Sequence, residues 1–149
     1  MSSELPTRVS GGCLCEKIRY TVNFPEDHDF LCGASTCQCS QCRKQTGALI
    51  YRAQKVPRSS FEFTAQSTLK IYKASPPNSR GFCSECGGMI FWAADEEDKI
   101  SICVGSFDDD VLQKYGKALT YAERHLFCVN DIPGVTDHLP GNKHERDDE

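Results

Sequence analysis

Apolar and polar positions alternate over residues 17–24: Ile18, Tyr20, Val22 and Phe24 are apolar, while Lys17, Arg19, Thr21 and Asn23 are polar. Period two is the mark of a strand with one buried face. Pro25 and the acidic pair Glu26-Asp27 stop it. Residues 48–53 form a second strand candidate, and 68–72 a third that again alternates. Residues 75–79, Ser-Pro-Pro-Asn-Ser, read as a loop. Residues 82–92 combine a tight cysteine turn, two glycines able to take positive φ, and a strand running out of it. A polar turn at 95–98 leads to a last strand at 99–105. Asp108, Asp109 and Asp110 are placed to cap one short helix reaching Tyr115. The pattern predicts a mainly β chain with short helices, a folded-over sheet or small barrel rather than a layered α/β domain.

Cysteine use changes this picture most. Ten of the 149 residues are cysteine. They crowd into Cys13-Leu14-Cys15, Cys37-Gln38-Cys39-Ser40-Gln41-Cys42 and Cys83-Ser84-Glu85-Cys86. Neighbours so close make poor disulfide partners but suit ligands that must reach one small ion. The start of the chain shows no basic residue followed by an apolar stretch, so no secretory signal is expected. No run approaches the roughly eighteen apolar residues of a membrane span. A reducing compartment is therefore expected, cytoplasmic or nuclear. A net charge of −4 argues against a non-specific grip on nucleic acid. The length suits one domain: residues 1–10 as an N-terminal extension, 11–140 as a single zinc-binding domain, 141–149 as a flexible polar tail.

A structural zinc site takes four tetrahedral ligands, usually two from each of two short loops. Cys83-x-x-Cys86-Gly-Gly has the form of one such half. Cys13-x-Cys15 is the simplest donor of the other, since residues two apart in an extended segment share a face. Cys37, Cys39 and Cys42 are then left as a set of three, and a zinc with three protein ligands keeps a position for water or substrate. Spacing leaves a second partition open, in which Cys83 and Cys86 close on two of the triplet; the chemistry favours four plus three. Cys32 is a further candidate to close the triplet. Cys103 and Cys128 lie in apolar strand-like stretches and read as small buried hydrophobes. His28, His125, His138 and His144 have no ligand partner at helical spacing and read as structural or solvated.

With these groups placed, the chain resembles the glutathione-dependent formaldehyde-activating enzyme family, whose relatives include centromere protein V. The resemblance rests on Gly12-Cys13-Leu14-Cys15 with Ile18-Arg19-Tyr20, on Cys37-Gln38-Cys39-Ser40-Gln41-Cys42-Arg43-Lys44-Gln45-Thr46-Gly47-Ala48, on Arg80-Gly81-Phe82-Cys83-Ser84-Glu85-Cys86-Gly87, and on Gly105-Ser106-Phe107-Asp108-Asp109. It implies several small antiparallel sheets organised around two zinc ions per chain. A structural zinc would sit on Cys13, Cys15, Cys83 and Cys86, and a catalytic zinc on Cys37, Cys39 and Cys42. Two departures stand out. Gln38 replaces the histidine of a usual Cys-His-Cys, and Gly134-Val135 stands where the family carries a late tryptophan.

The implied activity is that of a carbon–sulfur lyase or synthase acting on a glutathione adduct of a small carbonyl such as formaldehyde. Arg43 and Lys44, next to Cys42, are the expected contacts for the carboxylates of glutathione. The rival expectation is a zinc-stabilised interaction module without turnover.

Overall fold

The computed structural model describes residues 4–74 and 76–147. Residues 1–3, 75 and 148–149, which the sequence reading assigns to the extension, the 75–79 loop and the tail, lie outside the described residues. Two sheets make up the fold. The smaller is antiparallel, in the order β1 (Arg8–Gly12), β2 (Ile18–Asn23), β5 (Phe61–Gln66). The larger has eight strands. Its order is β11 (Asn142–Lys143), β10 (Arg124–Leu126), β3 (Ala34–Cys37), β4 (Tyr51–Pro57), β9 (Lys99–Cys103), β8 (Met89–Ala94), β7 (Asn78–Cys83), β6 (Leu69–Tyr72). β10 runs parallel to β3 and to β11, and the other pairs are antiparallel.

The core lies between the small sheet and one face of the large one. Ile18, Tyr20 and Val22 of β2 are fully buried on alternate positions. They meet Phe91 and Ala93 of β8, Ile100 and Ile102 of β9, and Val56 of β4. Tyr20 stacks on Phe61, whose ring meets Phe63 and Phe91 edge-on. Burying one such aliphatic side chain contributes roughly 1.5–3 kcal/mol. Helix α1 (Phe30–Gly33) and helix α3 (Asp109–Thr120) close this core with Phe30, Val111 and Leu119. Helix α2 (Ser40–Thr46) follows β3 directly.

Among the described residues, no further layer fills the opposite face of the large sheet. Alternation puts Ser35 and Cys37 of β3, Tyr51, Ala53 and Lys55 of β4, Ser101 of β9, Trp92 of β8, and Asn78 and Arg80 of β7 on that face, where they line one cavity.

Several boundaries differ from the sequence reading. The strand expected at 48–53 begins at Tyr51 and runs to Pro57, because Gly47 ends α2 and residues 48–50 complete the turn. The helix expected to stop near Tyr115 continues through Gly116 to Thr120, since Leu119 is fully buried in the core. The N-terminal extension expected to reach residue 10 is cut short, because β1 already pairs with β2 from Arg8 to Gly12. The tail expected from 141 onward is docked along its described length. Asn142 and Lys143 pair with β10, and the amides of Phe127, Cys128 and Val129 donate to the carbonyls of Arg146, His144 and Glu145.

Candidate metal centres and cavity

Seven of the cysteines gather into two groups. In the first, the sulfurs of Cys13, Cys15, Cys83 and Cys86 lie within 4.8 Å of one another. Cys13 and Cys15 do not share a strand face as expected: β1 ends at Gly12, and a turn with Glu16 at φ 66° folds Cys15 back. The Cys13–Cys15 and Cys15–Cys83 sulfur separations are both 3.6 Å. A tetrahedron with 2.3 Å metal–sulfur bonds has edges of roughly 3.8 Å, so the spacing fits a zinc-sized ion. The Cys83–Cys86 turn aims the amides of Glu85 and Cys86 at the Cys83 sulfur, each at 3.4 Å, and the Thr68 hydroxyl meets it at 3.1 Å. The Cys86 amide and the Thr68 hydroxyl pull the Cys83 thiol down to about 6. Gly87 closes this turn at φ 76°, a conformation that strains any residue with a Cβ.

In the second group the sulfurs of Cys37, Cys39 and Cys42 lie within 4.8 Å of one another. Cys37 ends β3, Cys39 is the N-cap of α2, and Cys42 sits in its first turn. The Cys42 amide donates to the Cys39 sulfur at 3.3 Å. Hydrogen bonds from Cys37 and Cys42 hold the Cys39 thiol well below its ordinary value, while contacts with Cys39 and Cys42 hold Cys37 above it. Gly47, at φ 75°, ends α2 and donates its amide to the Arg43 carbonyl. The soft all-sulfur donor sets of both groups suit zinc. Cys32 is exposed in α1 and lies outside both groups.

Arg80 belongs to the family pattern in the sequence, where its neighbours give it no role. It is 4% exposed. Its guanidinium donates to the Cys42 sulfur at 3.6 Å from both terminal nitrogens, to Gln45 Oε1 at 3.0 Å and to Gln41 Oε1 at 3.4 Å. None of these partners is a carboxylate. A buried cation needs a counter-charge, and the Cys42 sulfur is the one partner here that can carry it.

The triplet opens on a cavity of about 670 Å³ over the free face of the large sheet. Trp92 and Leu126 give it apolar wall, while Lys55, Arg124 and Arg146 bring positive charge and Glu97 and Asp147 negative charge. Arg146 arrives on the docked C-terminal segment, which composition alone reads as a tail. Arg43 and Lys44 do not line this cavity: they lie in the last turn of α2, where their charges suit the helix C-terminus. Gln38 is buried between Cys37 and Cys39 and donates to Asp131 Oδ1 at 2.6 Å, while Asn130 donates to its carbonyl. The residue standing in place of histidine thus ties the ligand loop to the 128–131 turn. Tyr51 is buried beside the triplet, and burial pushes its phenol well above its ordinary value.

The remaining candidates have structural surroundings. His125 is buried, its Nδ1 on the Thr36 hydroxyl at 2.7 Å and its Nε2 on the Pro140 carbonyl at 2.9 Å. Cys103 is half-buried against the triplet cluster, and Cys128 is half-buried with its thiol donating to the His125 carbonyl. Gly134 turns at φ 75° and Val135 is exposed, so no large ring is replaced in kind there.

A β-rich fold with a four-sulfur cluster, a three-sulfur cluster and a charged cavity over the latter defines a small cysteine-rich class whose clusters could each hold a metal ion. Residues 8–130 match the family model for glutathione-dependent formaldehyde-activating enzymes, and the chain belongs to that family. A protein of Penicillium rubens, provisionally named a glutathione-dependent formaldehyde-activating enzyme, is 30% identical over 80 residues, covering 53% of this chain and 39% of its own length. One of Aspergillus terreus with the same provisional name is 31% identical over 88 residues, covering 57% and 44%. The match thus spans less than half the length of these curated relatives. A crystal structure of a Rhodobacter sphaeroides protein shares the fold, with a TM-score of 0.55 at 20% identity, covering 67% of this chain and 88% of that one. No helix among the described residues is long and apolar enough to cross a membrane.

Proposed function

We propose that the chain is a zinc-dependent carbon–sulfur lyase or synthase acting on the adduct of glutathione, or a related thiol, with a small carbonyl such as formaldehyde. One observation carries this reading: three cysteine sulfurs, not four, converge at the wall of a cavity large enough for a tripeptide. Cys13, Cys15, Cys83 and Cys86 would hold a structural zinc, and Cys37, Cys39 and Cys42 a catalytic one. A zinc on the triplet would supply a fourth position that lowers the pKa of a bound thiol and presents it as thiolate at neutral pH.

The chain's own residues do the rest. Arg80 balances the negative charge that gathers when thiolates and an anionic ligand share a partly apolar site. Lys55 and Arg146 line the cavity and take the role first expected of Arg43 and Lys44, holding the carboxylates of glutathione. The apolar wall of Trp92 and Leu126 limits water around the reacting sulfur.

The test is turnover. Exchange NMR should show the zinc-loaded protein accelerating interconversion of glutathione plus formaldehyde with S-hydroxymethyl glutathione, well above the uncatalysed rate. An unchanged exchange rate at stoichiometric protein would remove the lyase reading.

A further inference from the structure

We propose that Tyr51 is a further catalytic residue of this site, its phenol O–H donating a hydrogen bond to the oxygen of the carbonyl carbon that takes up the thiol. The inference rests on the lyase reading above and adds a group to it. Tyr51 begins β4 directly opposite Cys37 across the antiparallel β3–β4 pair. Directly paired residues project to the same face, so the ring stands beside the triplet. It is buried in one cluster with Cys42, Ala53 and Met89, with Cys37, Cys39 and Trp92 packed against it, and it lines the cavity.

The phenol oxygen is buried and has no hydrogen-bond partner among the described residues. Buried tyrosine hydroxyls normally find one. Phenylalanine would fill the same space without an unsatisfied polar atom, so the oxygen serves no evident purpose in folding. A ligand that enters the cavity and reacts at the triplet would give the hydroxyl the partner it lacks. A donor preset where charge develops is among the strongest single aids to addition at a carbonyl.

In the forward step the sulfur lone pair forms the C–S bond and the carbonyl π pair moves onto oxygen. That oxygen then takes up, through solvent, the proton that the thiol released on ionising. Tyr51 keeps its own proton, and its hydrogen bond strengthens as the oxygen gains charge. In the lyase direction the same bonds are made and broken in reverse.

Tyr51→Phe tests this with three readouts on the zinc-loaded protein. The exchange rate should fall about 10²- to 10³-fold, the cost of losing one such donor, with KM for glutathione unchanged. In binding titrations, wild type should hold S-hydroxymethyl glutathione several-fold tighter than glutathione, and Tyr51→Phe should hold the two equally. The variant's Tm should be no lower than that of wild type. A wild-type exchange rate in Tyr51→Phe would overturn the proposal and leave the lyase reading standing. A lowered Tm would also overturn it, because the hydroxyl would then have a structural partner. A wild-type protein that neither binds glutathione nor accelerates exchange would remove the lyase reading and this role together.

Discussion

Cys86→Ser is expected to unfold the protein. The four-sulfur cluster joins two turns far apart in sequence: the one after β1, carrying Cys13 and Cys15, and the one between β7 and β8, carrying Cys83 and Cys86. Cys13 and Cys83 are themselves part of the main core, where the small sheet meets the large one. Metal held there therefore staples one sheet to the other. Binding of a structural zinc is commonly worth on the order of 10 kcal/mol of folding free energy. A domain of this kind has only about 5–15 kcal/mol of stability to lose. Losing one of four sulfurs removes a large part of the first figure, which is enough to cancel much or all of the second. Far-UV circular dichroism and the fluorescence of the single tryptophan, Trp92, should both report loss of structure at 25 °C. A Cys86→Ser protein that melts at the wild-type temperature would show that the cluster does not carry the fold.

Arg80→Met should separate the second cluster from the first. Methionine fills much of the space of the arginine stem without its charge, and removing one partner of a buried charge pair typically costs about 3–5 kcal/mol. Tm should therefore fall, while a fold stapled by the four-sulfur cluster persists. The triplet should not be indifferent, because the Cys42 sulfur loses both guanidinium donors and the cavity loses its buried counter-charge. Loss of a group that supports a metal ligand typically costs 10- to 100-fold in metal affinity. Competition with a zinc chelator should therefore release one ion per chain about 10- to 100-fold more readily, while the other stays put. Arg80→Lys keeps the charge but not the fork and should fall between. Release of both ions at wild-type affinity would reduce Arg80 to a space-filling role.

Much of this arrangement is legible in the sequence, for identifiable reasons. The alternation of Ile18, Tyr20 and Val22 reads directly as the buried face of β2, and the three cysteine groups read as clusters because short spacing leaves few other uses. Two kinds of feature escape. β3 reads Ala-Ser-Thr-Cys and carries no apolar pattern, since it is buried by pairing between β4 and β10 rather than by its own side chains. β10 is three residues long and also escapes. The 142–147 segment is polar and would be a free tail on composition alone, yet its backbone groups bond β10 and the 127–129 stretch. The candidate site is legible in its sulfurs and not in its cavity. Arg43 and Lys44 adjoin Cys42 in sequence but lie in the last turn of α2, off the cavity wall. Arg80 lies 38 residues beyond Cys42 and Tyr51 nine, and strand register brings both to the triplet.

If the triplet leaves a metal position open to a thiol, glutathione titration of the cobalt-substituted protein will register it. Each thiolate on cobalt adds sulfur-to-metal charge transfer, so a fourth sulfur entering at one site changes the visible and near-ultraviolet spectrum in a saturable way. Such a change is expected in wild type at millimolar glutathione or below, with the signal of the four-cysteine site unaltered. A spectrum that does not move at millimolar glutathione would contradict an open position and would leave the protein a metal-stabilised interaction module.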